Sequence, residues 1–242
     1  MTLTGTGGVG KTRLAARVAA TEVAGRPGGA WWVELAAVSD QAQVAELVAA
    51  ALGVLVEPMQ GPLRSLTAQL RDRRTLICLN NCEHVIDGAV ELARALLRSC
   101  PEVSVLTTSR EPLAVPGEVV WRVPSLVADE ALRLFVERGR QVRQRFTLDQ
   151  ASEAAARVMC SRLDGIPLAI ELAAAWLRTL TPKQIEHGLD ERREYDELVA
   201  QLRQTLGDEF ATAWAAGTQL SLDDAVAYVR RSRGARGRPA AG

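Results

Sequence analysis

The chain has 242 residues, enough for one large domain, or one domain with a small appendage, around a sizeable core. Apolar residues make up 48% and charged residues 24%, an ordinary balance for a soluble globular chain. The 29 basic and 29 acidic residues cancel, which excludes a partnership with nucleic acid or membrane resting on global charge. No stretch approaches the ~20 apolar residues of a membrane span. No secretory segment opens the sequence, so a cytoplasmic location is expected. The cysteines, Cys78, Cys82, Cys100 and Cys160, form no CxxC pair and are expected as reduced thiols. Cys82, Glu83 and His84 lie close together, but no second His/Cys cluster completes a metal site.

Met1 to Thr4 reads as a stub of strand, followed by GTGGVGKT and a helix to Ala24 that Gly25, Arg26 and Pro27 stop. AWWVEL, Ala30 to Leu35, reads as a second strand. A helix over 40–52 follows, with Asp40 as its start and Gly53 as its stop, and then a short amphipathic helix over 63–72. Leu76 to Leu79 is a buried strand, 84–98 a helix, Val103 to Thr108 a strand and Val119 to Val123 a fifth. Strands interleaved with helices predict an α/β fold, a parallel sheet covered by helices. After Pro124 the pattern turns helical. Leu132, Phe135, Val136, Gly139, Val142 and Phe146 keep helical spacing, and Thr147 with Gln150 suits a capping box. Thr181 with Gln184 suits another, with Pro182 at the first helical position. Leu198, Leu202, Leu206, Phe210 and Trp214 continue a helical pattern, and Ser221 with Asp224 suits a last cap. The expected organisation is a nucleotide-binding domain over 1–125, a helical subdomain over 126–190, a helical tail over 191–231 and a disordered Arg-rich linker over 232–242.

GTGGVGKT, Gly5 to Thr12, matches G-x-x-x-x-G-K-[ST] between a strand and a helix. Gly5, Gly7, Gly8 and Gly10, with Val9, let backbone N–H groups curl toward phosphates. The helix that begins near Lys11 points its positive end at the same spot. Lys11 brings a compact cation to the outer phosphates, and the Thr12 hydroxyl ligates Mg²⁺. In such proteins a second strand delivers an Asp toward the metal. Here the candidate strand runs into two amides, Asn80 and Asn81. An amide carbonyl still accepts from a metal-bound water, but it brings no negative charge, and neither amide takes a proton. Glu83, past the strand end, is the candidate substitute base.

TLTGTGGVGKTRLA, LICLNNCEHV, VLTTSREPL and LDGIPLAIELAAAWLRTLTPKQI together resemble the core of STAND NTPases of the NB-ARC type. The resemblance is to the core carried by bacterial LuxR-type and SARP/AfsR-type transcriptional regulators, and it covers about residues 1–190. It implies a P-loop fold and a switch gated by ATP or ADP with Mg²⁺, closed with ADP and open, often oligomeric, with ATP. Gly7 to Thr12 and the adjoining Arg13 would hold phosphates, and Asn80 would stand where an Mg²⁺-supporting Asp usually stands. Arg110 would sense the terminal phosphate, and Pro167 and Leu168 would pack against adenine. The short first strand, the missing upstream segment and the tail after about Leu189 depart from the pattern. They suggest a truncated or internally deleted member, with no sequence-specific DNA contact of its own.

Three readings stay open. The first is a nucleotide-binding switch with weak or absent hydrolysis. The second is a competent ATPase using Glu83. The third is a non-nucleotide interaction protein whose helical tail self-associates or binds a full-length regulator.

Overall fold

The structure, a computed structural model, describes residues 1–207. Its longest fully buried strand is β3, Thr75–Asn80, in which every residue is buried. An unbroken apolar run suits a strand covered on both faces, and the side chains divide by alternation. Ile77 and Leu79 join a large core with Val33, Leu35, Val44, Leu66 and Leu92. Leu76 and Cys78 turn to the other face and pack with Leu3, Ala15 and Leu106.

Four more strands complete the sheet: β1 (Thr2–Thr4), β2 (Ala30–Glu34), β4 (Val103–Thr108) and β5 (Val120–Arg122). The order is β2-β3-β4-β1-β5, and every pair is parallel. Glu34 sits opposite Asn80 in the β2–β3 register, and Leu3 sits opposite Thr108 in the β1–β4 register. The C-terminal ends of β2, β3 and β4 therefore meet at one edge of the sheet, where open α/β folds hold ligands.

β1 is as short as its sequence suggests, yet it is hydrogen-bonded on both sides. Thr107 and Ser109 donate backbone N–H groups to Met1 and Leu3, and Thr2 donates to Val119 while Val123 donates to Thr4. The Glu118 carboxylate ties the approach to β5 to β1. It accepts from the Thr2 hydroxyl and from the backbone N–H groups of Leu113 and Ala114.

The helices follow the sequence pattern closely. α1 spans Lys11–Glu22, and a 3-10 turn over Val23–Gly25 ends it before Pro27. α2 (Gln43–Leu52) begins after Asp40, whose carboxylate accepts from the Ala42 N–H, and it ends on Gly53 in the left-handed region. α3 (Gly61–Leu70) and α4 (Ile86–Ser99) complete the cover of the larger core.

Between residues 126 and 182 the structure is helical: α5 (Ala128–Val142), α6 (Gln150–Arg162) and α7 (Pro167–Ala175). Residues 1–182 form one compact unit. Two sequence expectations are corrected here. Phe146 keeps the helical spacing but lies beyond the end of α5. Its ring folds back edge-on to the buried Phe135, 6.0 Å between centroids. Gly139 is the reason it fits, because a Cβ there would stand 2.5 Å from the Phe146 ring. The cap of α6 is Asp149 rather than Thr147, its carboxylate accepting from the Ser152 N–H at 2.8 Å. A carboxylate at this position also complements the helix dipole.

The second unit begins at Lys183. The described part belongs to α8, Pro182–Leu206, with Pro182 at its first position as expected. Phe210, Trp214, the Ser221/Asp224 cap, the end of the helical tail and the linker 232–242 lie outside the described residues. Among the described residues, no helix is long and apolar enough to cross a membrane.

Burial pushes the Glu118 carboxyl up, but the Thr2 hydroxyl and the N–H groups of Leu113, Ala114 and Val115 together hold it below the usual carboxylate range. Stabilisation from such a group is present above its unfolded pKa and is lost as pH falls through the folded one. Glu118→Gln is expected to cost about 1–2 kcal/mol at neutral pH. The mutant and wild-type denaturation curves should converge as pH drops below about 4.3. Urea titrations at pH 7 and pH 3 check this.

Candidate functional site

The loop between β1 and α1 is held in left-handed or extended-positive conformations at Gly5, Gly8 and Gly10, with φ of 140°, 77° and 102°. α1 starts directly after it, with Leu14 donating to Gly10 at 2.9 Å. No side chain caps this helix start. Its first N–H groups and the positive end of its dipole therefore face the loop, the arrangement that attracts a phosphate. Val9 is buried and supports the loop from within, whereas Gly7 faces open space.

Gly8 is where the helical region meets the cradle. The Leu168 N–H, at the start of α7, donates to the Gly8 carbonyl at 3.2 Å. A Cβ on Gly8 would lie 2.9 Å from that of Leu168, at a backbone angle that L side chains rarely adopt. The LDGIPLA stretch supplies the approach. Asp164 and Gly165 are both left-handed, and Gly165 lets the Leu126 carbonyl come so close that a Cβ would stand 2.2 Å from it. Pro167, at the first turn, then starts α7. Pro167 and Leu168 are thus brought to the loop, and Leu168 is half exposed there.

Lys11 is buried, and its ammonium donates to the carbonyls of Gly5 (2.8 Å) and Thr6 (3.0 Å). Burial lowers its pKa; Glu83 opposes this and Arg110 adds to it. Both groups are therefore in electrostatic reach of the cradle. Glu83 lies in a 3-10 turn, Cys82–His84, entered through the left-handed Asn81. One of its oxygens is 3.5 Å from Arg110 Nε, and the other, Oε2, is buried without a hydrogen-bond partner. Arg110, just beyond β4, is largely exposed. Arg13 turns away from the loop and pairs with Glu171 of α7 at 2.9 Å, a carboxylate it shares with Arg138. Cys82 is a core thiol, pushed up to about 12 chiefly by burial, and among the described residues no group of His, Cys, Asp and Glu is placed to hold a metal by itself.

The amides are the centre of the site. Asn80 Oδ1 accepts from the hydroxyls of Thr12 (2.9 Å) and Thr108 (2.6 Å). Asn80 Nδ2 donates to Glu34 Oε2 at 2.7 Å, and Asn81 Nδ2 donates to Glu34 Oε1 at 2.9 Å. Thr108 also accepts from the Asn81 backbone N–H at 3.0 Å. Because Thr12 spends its proton on Asn80, its oxygen lone pairs are left for a cation. The donor set fits a nucleoside phosphate with Mg²⁺: free helix N–H groups, a lysine resting on carbonyls, a hydroxyl with its lone pairs available and an unpartnered buried carboxylate oxygen.

No family model matches the chain. Two solved structures share its architecture. The Aeropyrum pernix ORC2 protein, in ADPNP and ADP complexes, aligns with a TM-score of 0.54 and 18% identity over 82% of this chain and 64% of its own. Drosophila ORC bound to DNA aligns with a TM-score of 0.57 and 16% identity over 79% of this chain and 61% of its own. The chain has the P-loop ATPase fold. Among sequences, a Mycobacterium tuberculosis protein named "Putative HTH-type transcriptional regulator" is 45% identical over 193 residues, 79% of this chain. An uncharacterized protein of the same species is 42% identical over the same length. The chain spans 22% of the first relative and 49% of the second.

Within this P-loop fold the structure gathers the Gly5–Thr12 loop, Asn80, Glu83, Arg110, Pro167 and Leu168 around one cradle, and it sends Arg13 to α7. Glu34, Thr108 and Glu171 also reach the site; Thr108 and Glu171 lie within the VLTTSREPL and LDGIPLAIEL stretches, but the sequence assigned none of the three a role. The one available signal for Glu34 was an acid ending the strand beside β3. Gly8→Ala is expected to lower apo stability by roughly 1–3 kcal/mol, from the backbone angle and the contact with Leu168. Gly7→Ala, in open space, should cost clearly less, and thermal unfolding of the two variants compares them.

Proposed function

We propose that this chain is the ATP- or ADP-binding switch module of a STAND-type transcriptional regulator, with weak or absent hydrolysis. The observation that carries the reading is the cradle itself: a left-handed glycine loop, an uncapped helix start, buried Lys11, and Thr12 bonded to the end of β3. Residues Gly7 to Thr12 would hold the phosphates, Lys11 exchanging its two carbonyl partners for phosphate oxygens. Thr12, backed by Asn80, would hold Mg²⁺, which when bound draws negative charge from the outer phosphates. The name of the mycobacterial relative supports the regulatory side of this reading, and the nucleotide complexes of the ORC2 protein support the nucleotide side.

The contacts of α7 suit a switch. Leu168 rests on Gly8, and Glu171 holds Arg13 of α1 together with Arg138 of α5. A ligand that reshapes the loop therefore acts directly on the start of the helical region. A proton acceptor for the attacking water is harder to find, since Asn80 and Asn81 take no proton and Glu83 is engaged by Arg110.

A second reading, a competent ATPase, is favoured by one observation: the buried, unpartnered Oε2 of Glu83. Calorimetric titration with ADP and with ATP, with and without Mg²⁺, decides the first point. Lys11→Ala should weaken nucleotide binding by roughly 10- to 100-fold, the value of a lost charge-assisted contact. ATP turnover of the wild type should lie well under about 1 s⁻¹. Glu83→Gln should leave that slow rate unchanged, whereas steady turnover abolished by the same change establishes the second reading.

A further inference from the structure

We propose that Glu34 is the acid of this site: it supplies from the neighbouring strand the charge missing at position 80 and fixes the direction of the hydrogen bonds that prepare Thr12 for a cation. The inference rests on the cradle binding a nucleoside phosphate with Mg²⁺.

The argument begins with what each group can do. A carboxylate only accepts, so the two amides facing Glu34 must present their NH₂ groups to it. They do so at 2.7 Å from Asn80 and 2.9 Å from Asn81. With its nitrogen committed, Asn80 must aim its oxygen the other way, at Thr12 and Thr108. The oxygen only accepts, so Thr12 must donate. The lone pairs of Thr12 then face away from Asn80 and are free for a metal. Thr108 assists, because the Asn81 N–H occupies it as an acceptor and turns its proton toward Asn80.

Charge follows the same path. Asn80 and Glu34 together carry a single negative charge, the charge an aspartate at position 80 would carry by itself. The β2–β3 register places the two residues opposite one another, so this charge lies one strand over from the usual position, at the same edge of the sheet. An aspartate at position 80 would face Glu34 across the distance now spanned by the Asn80 amide. The amide and the acid are therefore one unit divided between two strands, and restoring the acid at position 80 without removing Glu34 sets two carboxylates against each other.

Neutralising Glu34 loses both effects. A glutamine there donates as well as accepts, so it no longer dictates which end of Asn80 faces Thr12. If the Asn80 amide turns over, Thr12 becomes an acceptor and one of its lone pairs is spent.

The test is a four-protein cycle in the full chain: wild type, Glu34→Gln, Asn80→Asp and the double variant. Each is read by thermal unfolding without ligand and by calorimetric ADP binding with and without Mg²⁺. Asn80→Asp is expected to lower the apo Tm by roughly 5 °C or more, and the double variant to recover most of that loss. Glu34→Gln is expected to lose roughly 10- to 100-fold of the affinity gained from Mg²⁺, with metal-free ADP binding little changed. The double variant, with its charge at position 80 and a donor at position 34, should regain the Mg²⁺ gain. Glu34→Gln with an unaltered Mg²⁺ gain overturns the inference and leaves the nucleotide reading standing, and so does a double variant no better than the worse single. A folded wild type that binds no ADP overturns the nucleotide reading and the inference with it.

Discussion

The site depends on one side-chain amide. Asn80 has a donor end and an acceptor end, and the fold uses both. Its nitrogen reaches β2 through Glu34, while its oxygen reaches α1 through Thr12 and β4 through Thr108. A carboxylate in its place would join only donors, and Glu34 is not one. The amide thus permits an acid on the neighbouring strand, and the cradle, the sheet edge and the first helix are registered through a residue that at first looks like a loss. Asn80 is itself almost wholly buried, where an unpaired amide would be costly. All the partners it needs are supplied by elements that the parallel sheet already brings to one edge.

Much of the fold was legible because its signals are local. The unbroken apolar run of β3, the glycine loop, Gly53 as a helix stop and Pro182 as a helix start each state their conformation within a few residues. Phe146 was misread because helical spacing does not register the end of a helix: Arg143 leaves the helical conformation, and the ring returns to α5 from a loop. The α6 cap was misplaced by two residues because Thr147 and Asp149 both have capping side chains, and only the path of the chain chooses between them. β1 is short, but it pairs on both flanks, with β4 and with β5, and no sequence window contains that pairing.

The site was legible by halves. The phosphate cradle is contiguous, so its chemistry could be read from eight residues. Glu34 could not, because its meaning lies in a register between strands 46 positions apart. It is also exposed at a strand end, where an acid usually means only solvation. The GIPLA stretch shows an intermediate case. Its proline reads as a helix start, but the reason for Gly165 is the Leu126 carbonyl pressed against it, a contact made by a distant segment.

The position of β1 also fixes an order of events during synthesis. The strand that leads into the cradle is made first, yet its partners, β4 and β5, lie about a hundred residues further along. At ordinary translation speeds these reach the ribosome exit roughly 5–20 s later. Until then the glycine loop has a helix behind it and no sheet beneath it. β2 and β3 can pair first with α2, α3 and α4 packed upon them, and β1 can take its place between β4 and β5 only once those strands exist. The loop and its helix therefore gain a complete sheet only after β4 and β5 have been made, when nearly all of the sheet domain exists.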